Sequence, residues 1–269
     1  MLGKRIASSV ILAPIIWVAA WFSQTPVPWF TLLIAVWALC ALYEFYHISR
    51  VAGKCRPLTL PGLALALLLI IQPILDIPGS SRMVLTLAAV VPLVWVIFRR
   101  DKTAAFTSWV WTLAGIIYLG WLASFYVVLR GMDYGREFVI FALFATFISD
   151  SAAYFIGRAF GQHYLAPAIS PRKTWEGAVG GVICTAAASL VLQWWLGLPL
   201  SYLGAAVLAI AVSVFGQIGD LAASLFKRNA GAKDSSQVIP GHGGFLDRID
   251  SVIFAGLVVY IYAVFSQGG

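Results

Sequence analysis

Six of the eleven acidic residues in this 269-residue chain, Asp150, Glu176, Asp220, Asp234, Asp247 and Asp250, fall after position 149, interleaved with Lys and Arg. Asp220 stands in an otherwise apolar run, where an ionisable side chain is costly unless it has a partner or a task. Ser224, Lys227 and Arg228 follow on the next helical turns, then Lys233-Asp234, Pro240-Gly241-His242-Gly243-Gly244 and Asp247-Arg248-Ile249-Asp250. Asp247 and Asp250 are three apart and share one helical face. A helix start beside Arg248 offers donors to phosphate, and the glycines let backbone approach a ligand closely. Hard oxygen ligands without a His/Cys cluster point to Mg²⁺, which takes one or two carboxylates together with substrate phosphates and water. Lys227, Arg228, Lys233 and Arg248 would balance the charge of a triphosphate. The bland alternative is that these acids and bases pair only with one another. His242 can be read as a phosphate donor, a general acid or a turn residue with no chemical task.

A second polar segment runs from Gly157-Arg158 through His163 to Ser170-Pro171-Arg172-Lys173-Thr174-Trp175-Glu176-Gly177. Ser170 and Pro171 suit the N-cap and first position of a helix, which would place Arg172 and Lys173 at a helix start where anions bind well. A capped helix with basic flanks and no ligand fits the same residues.

The elements that position these groups follow from composition. Hydrophobic residues make up 61% of the chain and charged residues 11%, far from the balance of a water-soluble domain. No charged residue occurs between Arg5 and Glu44, nor in 57–75, 83–98, 103–129, 177–219 or 251–269. A bilayer core of about 30 Å needs roughly 20 apolar residues per helix. Strand-like alternation is absent, which argues against a barrel. The expected fold is therefore all-α and polytopic, with about nine transmembrane helices near 6–22, 29–45, 58–75, 83–98, 106–129, 138–156, 178–196, 203–226 and 249–265. The start Met1-Leu-Gly-Lys4-Arg5 also has the outline of a secretory signal. Trp17, Trp21 and Phe22 stand where small residues should precede a cleavage site, so 6–22 is read as a span.

Lys and Arg accumulate in cytoplasmic loops. With the N-terminus inside, Lys4, Arg5, Arg50, Lys54, Arg56, Arg99, Arg100, Lys102, Arg158, Arg172, Lys173, Lys227, Arg228, Lys233 and Arg248 count to the cytoplasm. Only Arg82, Arg130 and Arg136 count to the other side. This supports a cytoplasmic N-terminus and an external C-terminus, and makes the net charge of +7 a topology signal with no bearing on nucleic acid. Cys40, Cys55 and Cys184 are isolated and read as small membrane-facing residues, with no disulfide framework or zinc site. The chain divides by chemistry into residues 1–130, spans 1–5 acting as scaffold, and residues 131–269, spans 6–9 with the polar loops.

From Ser224-Leu-Phe-Lys227-Arg228 through Pro240-Gly-His242-Gly-Gly-Phe-Leu-Asp247-Arg248-Ile-Asp250, the sequence resembles the signature of the phosphatidate cytidylyltransferase (CDP-diacylglycerol synthase) family. Ser170-Pro-Arg-Lys-Thr-Trp-Glu-Gly and Asp150-Ser-Ala-Ala-Tyr154 are similar to that family as well; spans 1–5 are generic. The resemblance implies that CTP and phosphatidic acid give CDP-diacylglycerol and pyrophosphate, with Mg²⁺ alone or with a second cation. It implies Asp220 and Asp247 as leading metal ligands, supported by Asp250 and Asp150, with Lys227 and Arg248 beside them in catalysis. Ser170, Arg172, Lys173, Thr174, Ser224, Arg228, Lys233, His242, Gly243 and Gly244 are then expected to hold substrate. A homodimer in a bacterial inner membrane, with the site facing the cytoplasm, is implied too.

Two other classes deserve comparison. A cation- or proton-coupled transporter would use Asp150 and Asp220 as a relay, yet it leaves the loop after Asp220 unexplained. Another membrane-embedded lipid phosphotransferase shares the metal and phosphate chemistry. The D-G-x-x-A-R start of CDP-alcohol phosphotransferases and the G-x-x-x-x-G-K-[ST] loop of P-loop kinases are both missing.

Overall fold

A computed structural model describes Trp21 and residues 28–267, leaving out 54, 76, 101, 237 and 239–242. The first expected span, apart from Trp21, and His242 lie outside the described residues. Eight helices are present among the described residues: α1 Trp29–Val51, α2 Thr59–Leu75, α3 Ser80–Phe98, α4 Ala105–Gly131, α5 Gly135–Phe160, α6 Trp175–Leu196, α7 Tyr202–Asn229 and α8 Leu246–Gln267. All but the 17-residue α2 are long and apolar enough to cross a membrane, and the chain is a polytopic membrane protein.

Most of these helices outrun the apolar segments that announce them. The 28 residues of α7 make a rod of about 42 Å at 1.5 Å per residue, the thickness of the hydrocarbon core plus its headgroup layers. A helix continues through the interface because its backbone bonds are internal, so a charged residue marks depth in the membrane and not the helix end. Glu44 is the consequential case: α1 runs on for seven residues beyond it.

By its contacts the chain forms two compact units, Met1–Val128 with Phe226–Ile249 and Leu129–Leu225 with Asp250–Gly269. In the first unit, Phe45 of α1 packs with Trp111 and Tyr118 of α4 and Phe226 at the end of α7, ring centroids 4.9–6.2 Å apart. The Tyr46 hydroxyl donates to the Thr112 carbonyl at 2.7 Å. Gly120 sits against the Ala66 backbone so closely that a Cβ would lie 2.8 Å from its Cα, the small-residue contact by which membrane helices pack. Gly120 belongs to a π-helical turn, Ile116–Trp121, that interrupts α4 where one uniform helix was expected. Such turns arise from packing between helices and leave no periodic signal. Pro92 lies inside α3, where a helix in lipid tolerates a proline, and the Trp109 indole of α4 donates to the Ala89 carbonyl of α3 at 3.0 Å. Cys55 is buried in the α1–α2 connection, which corrects its reading as membrane-facing; Cys40 and Cys184 are half-buried.

In the second unit α5 and α6 lie side by side. The hydroxyls of Ser149 (α5) and Ser213 (α7) share a buried hydrogen bond of 2.6 Å. A Cβ on Gly219 of α7 would collide with the Asp250 carbonyl oxygen, so α7 and α8 are close neighbours there. A two-stranded antiparallel ribbon, β1 Tyr164–Ala166 and β2 Ser170–Thr174, joins α5 to α6. This corrects the expected helix start. Ser170 and Pro171 belong to a strand, both of whose strands are edges that tolerate proline, and Thr174 is the N-cap, its Oγ1 accepting from the Gly177 N–H at 3.3 Å. The Trp175 N–H closes the ribbon on the His163 carbonyl at 2.9 Å.

Candidate functional site

In the first unit the described residues of the loop between α7 and α8, Ser235, Ser236 and Gly244 among them, surround two carboxylates. Asp247, in the first turn of α8, has a side chain only 10% exposed. Its Oδ1 meets the Lys227 ammonium at 2.5 Å. Its Oδ2 accepts from the Ser235 N–H (3.1 Å), the Ser235 hydroxyl (2.9 Å) and the Gly244 N–H (3.0 Å). Lys227 is 8% exposed, so this is a buried ion pair whose partners need each other. Gly243 adopts φ +80°, and Gly244 is pressed between Ser235 and Glu44 with no room for a Cβ. The two glycines thus bring backbone donors up to Asp247 and Glu44.

Glu44, 5% exposed and far away in sequence, is the second carboxylate. Its Oε1 accepts from the Ser236 hydroxyl at 2.6 Å and the Phe245 N–H at 3.1 Å. Its Oε2 accepts from the Ser235 hydroxyl at 2.7 Å and the Leu246 N–H at 3.0 Å. The Phe245 and Leu246 amides are among the donors that a helix start leaves unpaired, and a buried anion suits them. Sequence reasoning missed Glu44. The signal available is a lone acid in Tyr43-Glu44-Phe45-Tyr46 at the end of an uncharged run, a pattern that equally marks a span approaching the membrane surface.

The second unit holds the other carboxylate of interest. Lys173, from β2, reaches Asp220 Oδ2 at 2.7 Å and lies 3.5 Å from the Gln217 carbonyl oxygen; Ser224, one turn on, donates to Asp220 Oδ1 at 3.4 Å. Asp220 keeps 35% of its side chain exposed, so it can take a further ligand. Glu176 receives the His163 N–H and pairs with His163 Nδ1 at 2.6 Å, fastening the ribbon to α6. Asp150 is exposed on α5, while Asp250 is buried, its Oδ1 accepting from the Ser251 N–H at 2.9 Å.

The cations divide into two sorts. Lys173 and Lys227 are committed to carboxylates. Arg172, Lys233 and Arg248 are exposed, and exposed Arg228 at the end of α7 lies 3.5 Å from the Ala232 carbonyl oxygen. Ser170 is half-buried and Thr174 is buried as a cap.

Among the described residues no three of His, Cys, Asp and Glu gather as a closed metal cage. Mg²⁺ does not require one, since it is held by one or two carboxylates while phosphates and water complete its shell. Asp220, half-exposed and flanked by a hydroxyl, fits that donor set. Asp247 fits through Oδ1, which has a lone pair beyond the one facing Lys227, while Oδ2 is saturated. Glu44, with four donors on two oxygens, is filled and does not fit.

The sequence profile of the cytidylyltransferase family matches residues 3–266. The chain is similar to a phosphatidate cytidylyltransferase of Bacillus subtilis, 33% identical over 98% of both chains. It is similar to one from Staphylococcus epidermidis, 34% identical over 81% of this chain and 83% of the relative. A third, from Brucella suis, is 42% identical over 58% of each chain.

Proposed function

The chain belongs to the cytidylyltransferase family, and from that membership we propose that it is a phosphatidate cytidylyltransferase, a nucleotidyltransferase of phospholipid biosynthesis. The observation that carries the reading is the end-to-end similarity to the Bacillus subtilis relative. CTP and phosphatidic acid are the substrates. The phosphate of phosphatidic acid is anionic at neutral pH and needs no strong base. Its oxygen attacks the α-phosphorus of CTP, the bond to the β-phosphate oxygen breaks, and pyrophosphate leaves with that electron pair. Catalysis is then positioning and charge neutralisation.

The exposed cations Arg172, Arg228, Lys233 and Arg248 are suited to hold phosphate oxygens, and the buried pair Lys227–Asp247 fixes the helix start beside Arg248. Asp220 and Asp247 are each suited to serve as a Mg²⁺ ligand, with Asp250 and Asp150 as supporting acids; the ion would supply charge stabilisation on the phosphates. Arg248→Ala should raise KM for CTP by about 10-fold, as for loss of a charge-assisted hydrogen bond of ~1.5 kcal/mol, while the protein inserts normally. An unchanged KM and kcat would return Arg248 to a role in topology alone.

The proposed orientation is a cytoplasmic N-terminus and an external C-terminus, with the site facing the cytoplasm of a bacterial inner membrane, and the protein acts as a homodimer. Reporters fused after residue 52 or 101 should report cytoplasm, and after residue 79, 133 or 269 the opposite side. A cytoplasmic reporter at residue 269 contradicts this topology. The activity itself is tested by offering the purified protein CTP, ATP or a CDP-lipid with phosphatidic acid. Consumption of CTP alone is the expected result, and a preference for ATP or a CDP-lipid would assign the chain to another phosphotransferase class.

A further inference from the structure

We infer that Glu44 is a positioning residue for the transfer reaction, through which α1 sets the geometry of the Asp247–Lys227 pair; this rests on the reading of the chain as a cytidylyltransferase. Glu44 is buried, and its four side-chain hydrogen bonds among the described residues go to the α7–α8 loop and the start of α8: Ser235, Ser236, Phe245 and Leu246. The Ser235 hydroxyl lies 2.7 Å from Glu44 Oε2 and 2.9 Å from Asp247 Oδ2, so its single proton links the two carboxylates. The same helix grips both flanks of the segment. The Trp37 indole donates to the Phe245 carbonyl at 3.3 Å and its ring meets Phe245 edge-on. Phe45 meets Phe226, which immediately precedes Lys227, with centroids 5.2 Å apart. A helix otherwise generic in sequence therefore fixes the residues on either side of Lys227 and Asp247.

The chemistry singles out a carboxylate. Each Glu44 oxygen accepts from one hydroxyl and one backbone N–H. A hydroxyl can turn and donate elsewhere, but a backbone N–H cannot. In Glu44→Gln the amide nitrogen must face the Phe245 or the Leu246 N–H, so one buried donor at the α8 start is left unpaired. The helix start then shifts, and Asp247 and Lys227 move with it. Because both Glu44 oxygens are taken up by protein donors, its effect passes through Asp247.

The test is a double-mutant cycle on kcat with Glu44→Gln, Asp247→Asn and the combination, each checked for size-exclusion elution and melting temperature. Parent enzyme is measured first: a parent that forms no CDP-lipid refutes the activity, whereas an active parent confines any failure to the role of Glu44. The expected result is that Glu44→Gln lowers kcat about 10-fold or more per folded molecule, and lowers it less than two-fold further on the Asp247→Asn background. Ser236→Ala removes one donor to Glu44 at a half-buried position, and should lower kcat a few-fold with the same loss of additivity. A kcat within two-fold of the parent in Glu44→Gln, or effects that multiply in full with Asp247→Asn, overturns the proposal. Should Glu44→Gln fail to fold, Ser236→Ala decides by the same criterion.

Discussion

Replacing Asp220 by Asn, or Asp247 by Asn, should slow cytidylyl transfer by about 10²-fold or more, equivalent to at least ~2.7 kcal/mol of barrier. Asn keeps the size of the side chain and removes the charge that would offset Mg²⁺, so the loss should fall on kcat. The two variants are expected to differ in stability. Asp220 is partly exposed and its partners, Lys173 and Ser224, can be hydrated when the charge is lost, so Asp220→Asn should elute and melt like the parent. Asp247 is buried with four donors directed at it, and an amide nitrogen placed among them must oppose an N–H or the Lys227 ammonium. Asp247→Asn should therefore lower the melting temperature as well as kcat. The check is turnover across a Mg²⁺ titration together with thermal unfolding in detergent. Both variants turning over within a few-fold of the parent at every Mg²⁺ concentration would move the metal to other acids, with Asp150 and Asp250 the next pair to examine.

The second large effect is expected at Lys227. Lys227→Met removes the ammonium and leaves the Asp247 carboxylate buried without its counter-charge, and breaking a buried pair from one side typically costs ~3–5 kcal/mol. The variant should lose most of its activity and melt well below the parent. Lys227→Arg keeps the charge but brings a broader planar head into a space shaped for an ammonium, so its stability should recover further than its turnover. Melting curves and initial rates on the two variants check this. If Lys227→Met melted like the parent and lost activity only through a higher KM for CTP, Lys227 would be a phosphate contact and not the partner that holds Asp247.

Much of the scaffold was legible in the sequence because membrane helices are announced by uninterrupted apolar length. Every described helix overlaps an expected span, and the start of α8 at Leu246 places Asp247 in its first turn as the three-residue spacing with Asp250 required. What the sequence withheld were pairings made across long separations. Glu44 contacts Ser235 and Leu246 across about 190–200 residues, and no local pattern in Tyr43-Glu44-Phe45 points to them. The Ser170–Thr174 strand exists because it pairs with Tyr164–Ala166; read alone, Ser-Pro-Arg-Lys is a good helix start. The lysines were expected to clamp phosphates. Lys173 and Lys227 face carboxylates, as the plainer reading of those acids and bases allowed, and Arg172, Lys233 and Arg248 remain exposed. Burial explains the division. Paired side chains can be enclosed, whereas these exposed cations stay where water or a substrate can reach them.

The measurement that bears most directly on the account is the fate of label from CTP incubated with phosphatidic acid vesicles, Mg²⁺ and the purified protein. If cytidylyl transfer is the reaction, label in the α-phosphate appears in the lipid, and label in the γ-phosphate appears in pyrophosphate in equal amount. Label from the γ-phosphate entering the lipid, or phosphatidic acid left unchanged with CTP intact, would contradict it.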